Sequence, residues 1–201
     1  MVLIHLDEPR HSAKISRDQA KKILKIRPDI VVFEYPQDSS PGEFFNKFSP
    51  KNKPLKKFWK IKKGFLKQVK KYPWLKGDVE VLEAIEKLWS EGRQVFLYNM
   101  DAPRKITKIC DEKEAFENRL LHDALNRIRE QYMIKMINKI SKKHKRKKII
   151  VLCHDYHWKN LKFLMKKPSK RNISEHYFSN VDEYVRFYFK KYPFILQCYK
   201  K

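Results

Sequence analysis

Glycine is scarce in this chain, 4 residues of 201, so few positions can take the left-handed backbone that glycine adopts without steric cost. Cysteine is nearly as rare. Cys110, Cys153 and Cys198 share no metal-ligand spacing, which excludes a zinc knuckle and a disulfide scaffold. With no secretory signal, reduced thiols in a cytoplasmic protein are expected. No stretch reaches the roughly 18–20 apolar residues of a membrane-spanning helix, so membrane contact, if any, would be at the surface. At this length the chain is expected to be one domain, residues 1–201, able to bury a core without staples.

Acid is absent where base is dense. Residues 44–77 hold twelve Lys, 135–148 eight Lys or Arg, and 159–171 six, with no Asp or Glu in any of the three. Those segments take 26 of the 47 bases and leave 21 against all 23 acids. The net charge of +24 therefore lies in three patches on an otherwise neutral frame. Patches of this kind attract polyanions, whether nucleic acid (RNA or DNA), phosphorylated metabolites or an anionic membrane face. Lys56, Lys57, Lys60, Lys63, Lys143, Lys145, Arg146 and Lys147 are the candidate phosphate contacts.

Four short apolar runs alternate with helical patterns. Val2–Leu6, Ile30–Tyr35, Gln94–Met100 and Ile149–Cys153 read as strands, the second and fourth of them buried. Ser16 to Gln19 fits a capping box for a helix ending near Ile26, where Arg27-Pro28-Asp29 stops it. A helix over Asp78–Trp89 closes at Gly92, a long one runs from about Lys113 to His144 with Leu121, Leu125, Ile128, Tyr132, Met136 and Ile140 as its stripe, and further helices follow near 158–165 and 182–189. The pattern predicts an α/β fold with a mainly parallel sheet of about four or more strands and helices on both faces. Residues 37–77 are an insertion within it. Its residues 54–72 form a basic amphipathic helix able to cover a crevice.

Polar groups gather where the strands end: His5, Glu34, Asp101, and His154 with His157. In a parallel sheet the carboxyl ends of the strands border the ligand crevice. Imidazoles with carboxylates could hold a divalent metal of unknown identity, with His5, Glu34, His154 and His157 as ligands and a bound water as nucleophile. Without metal, one His could serve as general base while Glu34 orients or protonates. The structural alternative is that His154 and His157 only cap the strand and the helix after it.

Several runs together resemble one family. Leu3-Ile4-His5 before a helix, Arg27-Pro28-Asp29-Ile30-Val31-Val32-Phe33-Glu34, Gly92 to Asp101 with Ile106-Thr107, Ile128-Arg129-Glu130-Gln131-Tyr132-Met133, and Val151 to His157 resemble, in order and spacing over about residues 2–165, the TraB/Tiki superfamily, related to erythromycin-esterase and ChaN-like proteins. Val2 and His154 stand where the family's two Gly-x-x-His motifs have Gly, and Ile128 replaces an acid of its helix motif. The resemblance implies that His5, Glu34, Arg129 and His157 line a hydrolytic site, with or without metal. Apart from the resemblance, a carboxylate at the end of an apolar strand needs its charge compensated, and the candidates for Glu34 are Arg129, a metal, or a protonated imidazole from His5 or His157. The expected function is a hydrolase with a basic surface for a polyanionic substrate or partner. The alternative is a non-catalytic nucleic-acid or ribonucleoprotein binder on the same fold.

Overall fold

The computed structural model describes residues 2–6, 13–39, 76–110, 117 and 119–166. Residues 40–75 of the expected insertion 37–77, with Lys56, Lys57, Lys60 and Lys63, and the helix expected near 182–189 lie outside these residues. In chain order the elements are β1 (Val2–Leu6), α1 (Ala13–Ile26), β2 (Ile30–Pro36), α2 (Lys76–Ser90), β3 (Phe96–Asp101), α3 (Arg104–Cys110), α4 (Arg119–Lys143), β4 (Lys148–Leu152) and α5 (Asp155–Lys166). The described residues gather into two compact units: one within 1–35, 39–99 and 141–155, the other within 36–38, 100–140 and 156–201.

The sheet is all parallel in the order β1-β4-β2-β3, an α/β fold. The last strand in sequence, β4, lies between the first two. His5 pairs with Val151 and Phe33 with Leu152, so the carboxyl ends of β1, β2 and β4 share one edge. A strand of Ile149-Ile150-Val151-Leu152 is buried throughout, as an interior strand with both faces covered requires.

Side chains alternate across a strand, and the core of the first unit shows which set faces the helices. Ile4 and Leu6, Val31, Phe33 and Tyr35, Val95 and Leu97, and Ile150 and Leu152 meet Ile23 of α1 and Val81, Ile85, Leu88 and Trp89 of α2. Fully burying a Phe33 or an Ile85 contributes about 1.5–3 kcal/mol each. Trp89 also donates its indole N–H to the Val95 carbonyl at 3.0 Å, which lets a polar ring sit in that core. His5, Glu34 and Tyr98 fall on the opposite face by the same alternation.

Helix ends follow local chemistry. Gly92 has φ 79°, and the pair Gly92 N–H to Trp89 O with Arg93 N–H to Leu88 O closes α2 as a Schellman motif. α1 ends without glycine: Arg27 takes φ 51° and donates its amide to Ile23 O at 2.9 Å, with Pro28 blocking continuation.

Three features depart from what the sequence pattern predicts. α1 starts at Ala13, so Ser16 and Gln19 are buried within the helix rather than capping it; Ala13 and Lys14 are strong helix formers and nothing halts the helix at Ser16. α3 has no counterpart in that pattern. Its seven residues are too few to show a period, and its first amide, that of Arg104, is capped by Asp38 Oδ1 at 2.7 Å from 66 positions away. In α4 the buried face includes Asn126, Glu130, Met133 and Ile137 beside Leu125, Ile128 and Ile140, while Tyr132 and Met136 are only half-buried.

Candidate functional site

In the first unit the carboxyl edge of the sheet carries His5, Glu34 and His154. His5 donates its Nε2 hydrogen to the Cys153 carbonyl oxygen at 2.9 Å, and its Nδ1 lies 3.7 Å from Asp155 Oδ1. The register explains the reach, since His5 sits opposite Val151, two residues short of Cys153. Glu34 follows Phe33, the partner of Leu152. Its Oε2 accepts the His154 amide hydrogen at 2.9 Å, so a buried carboxylate at the end of an apolar strand meets a backbone N–H just beyond β4. A charge-assisted bond of this type is roughly twice as strong as a neutral one, and it joins the ends of β2 and β4. His154 itself is exposed.

The second unit holds two polar groups built on neighbouring residues of α4. Asp101, at the end of β3 and 1% exposed, receives Arg129 in a bidentate grip: Nε lies 3.1 Å from both carboxylate oxygens and Nη2 2.7 Å from Oδ2. Asp101 Oδ1 also accepts the Ala102 amide at 2.7 Å. Arg129 Nη1 reaches Asn126 Oδ1 at 3.2 Å, and Asn126 Nδ2 lies 3.2 Å from His122 Nδ1. The planar guanidinium fork matches a carboxylate in a way that Lys cannot.

One residue along, Glu130 is fully buried. Its Oε1 stands 3.1 Å from His157 Nδ1 and accepts from Asn160 Nδ2 at 2.7 Å, while Oε2 accepts from Arg127 Nη1 at 2.9 Å. His157 and Asn160 are three apart on α5, hence on one face of that helix, and both address the same carboxylate. The partners offset what an isolated buried carboxylate would cost, several kcal/mol. The arrangement also fixes the imidazole: a carboxylate at Nδ1 holds the hydrogen there and makes Nε2 the basic nitrogen.

Of the four residues expected to line the site, His5 and Glu34 thus belong to the first unit, and Arg129 and His157 to the second. Glu34 is engaged by the His154 amide and Arg129 by Asp101, the acid expected at the end of the third strand. Glu130 is not among the four. Its signal is present in the sequence all the same, because Asn126, Glu130, Met133 and Ile137 follow the four-and-three spacing of one helix face, and a carboxylate on an apolar face needs partners.

Among the described residues no group of three or more His, Cys, Asp and Glu side chains is placed to hold a metal ion. Cys110 and Cys153 are buried and form no disulfide. No helix among the described residues is long and apolar enough to cross a membrane.

A third polar patch is the turn from α4 to β4. Lys142, Lys143, Lys145, Arg146, Lys147 and Lys148 are all exposed there, and they include four of the expected phosphate contacts. No family model, no curated protein and no solved structure matches the chain.

Proposed function

We propose that this protein is a hydrolase of the TraB/Tiki type, acting in the reducing cytoplasm on a polyanionic substrate, with His157 as general base. The observation that carries the reading is the Glu130–His157 pair, in which a fully buried carboxylate lies 3.1 Å from Nδ1 of a buried imidazole. General-base catalysis asks for an imidazole of fixed tautomer and orientation. Glu130 supplies both, and Asn160 and Arg127 keep Glu130 in place. Activation of water by such a base typically contributes about 10²–10⁴-fold. In this role Glu130 is a positioning residue, since it acts through His157.

The purified chain is assayed against a nitrophenyl ester, a nitrophenyl phosphodiester and an unstructured peptide, each with and without added divalent ions. Turnover of one substrate, lost in His157→Gln and reduced in Glu130→Gln with a shifted pH profile, is the expected result. No turnover of any, or turnover untouched by His157→Gln in a folded variant, overturns the reading.

A further inference from the structure

The amino edge of the sheet in the first unit, opposite the edge that carries His5 and Glu34, has a chemistry that the hydrolase does not use. Here α4 hands over to β4 through His144, Lys145, Arg146 and Lys147. Arg146 stands at φ 66°, a left-handed conformation that a side chain with Cβ takes only at a steric cost. Glycine would fill this position without strain. Arg27 repeats the pattern at φ 51°, two residues before Asp29 as Arg146 stands two residues before Lys148. The two connections meet, with Asp29 N–H donating to Lys148 O at 3.0 Å and Lys148 N–H to Asp29 Oδ2 at 2.8 Å. Strained backbone held by its surroundings is a pointer to function; the Arg27 guanidinium is paired with Glu91 Oε2 at 2.7 Å, so Arg146 is the strained cation that the docking surface uses.

Aromatic rings accompany the cations. His144 lies 5.6 Å from the Phe96 ring and 5.8 Å from the Tyr98 ring, centroid to centroid, and its Nε2 is 2.8 Å from the Tyr98 hydroxyl. All three rings are half-buried on β3, the edge strand, and at the foot of the turn. Cations beside partly exposed rings are the recipe for single-stranded nucleic acid, where phosphates take the charges and bases take the ring faces. A lipid surface would ask instead for exposed apolar side chains to insert beside the charge. The exposed large apolar residues among those described are Val2, Tyr156 and Phe163, and only Val2 belongs to this edge.

We propose that the turn Lys142–Lys148, with Phe96, Tyr98 and His144, is a docking surface for single-stranded nucleic acid. This deepens the polyanion part of the proposed function and does not depend on hydrolysis. The full-length chain is titrated with a labelled single-stranded oligonucleotide, the same sequence as a duplex, and phosphatidylserine vesicles, and binding is read by anisotropy or co-sedimentation across salt concentrations. Each phosphate contact adds about 0.7 to the slope of log affinity against log salt for a single strand. The combined change Lys145→Gln, Arg146→Gln and Lys147→Gln should therefore lower the slope by about 2 and the affinity at least tenfold.

Arg146→Gly keeps the experiment decisive if the triple variant folds poorly. It relieves the left-handed position while deleting the guanidinium, so the melting temperature should hold or rise while affinity falls and the slope drops by about 0.7. An unchanged slope in these variants, vesicle binding without oligonucleotide binding, or a duplex bound as tightly as the single strand overturns the proposal. Binding that persists with no turnover of the oligonucleotide supports it and counts only against the hydrolase.

Discussion

Asp29 and Lys148 are locked by two hydrogen bonds, backbone to backbone at 3.0 Å and backbone to carboxylate at 2.8 Å, across 119 positions of sequence. The same carboxylate lies 3.5 Å from both Arg93 Nη2 and Lys147 Nζ. One acid thus ties the starts of β2 and β4 together amid cations. Asp29→Ala should cost about 0.5–1.5 kcal/mol, because it removes the acceptor of the exposed Lys148 amide and an acid that the two cations share. Asp29→Asn, which keeps an acceptor for that amide, should lose less. Urea denaturation of both variants checks the order, and equal losses would show that charge rather than the hydrogen bond matters.

Arg129 and Asp101 form a bidentate pair with side-chain exposures of 16% and 2%. Arg129→Ala leaves a carboxylate buried without its counter-charge and should destabilise by about 3–5 kcal/mol. Arg129→Lys should recover only part of this, since one ammonium cannot replace a two-pronged grip. The double change Arg129→Met with Asp101→Asn should cost less than Arg129→Ala alone. Chemical denaturation of the wild type and the three variants tests all three statements.

His144 has its pKa lowered from 6.5, first by burial and then by the charges of Lys143 and Lys147. The unfolded chain then takes up the proton before the folded one does. The stability linked to this group is fully present above pH 6.5 and is lost as pH falls through the lower folded value. Protonation would also oppose any donation from the Tyr98 hydroxyl to Nε2. Melting temperatures from about pH 7.5 to about pH 5 should fall more steeply for the wild type than for His144→Asn. Parallel curves would refute the linkage.

Gly92 sits at φ 79°, and no atom lies within 4 Å of the place a Cβ would take there. Gly92→Ala should therefore cost only the backbone strain, about 1–2 kcal/mol, with no clash added. A larger loss, measured by thermal denaturation, would mean that the Schellman closure of α2 depends on more than its backbone angles.

Much of the fold is legible in the sequence, and the reason is local. Ile30–Tyr35 and Ile149–Cys153 are predominantly apolar runs with no alternation, and a strand buried on both faces is what such runs fit. Helical spacing between them implies crossovers, hence the α/β sheet. Arg27-Pro28 stops α1 by sterics that no distant contact needs to supply. Three-dimensional pairing decided the rest. The place of β4 between β1 and β2, the capping of α3 by Asp38, and the partners of Glu34, Asp101 and Glu130 on other elements all join residues at least 27 positions apart. A sequence shows that a buried carboxylate must be compensated, because desolvation is a property of the group itself. Which donor compensates it depends on where other segments arrive, and that is set by strand register and by the turn of each helix about its axis.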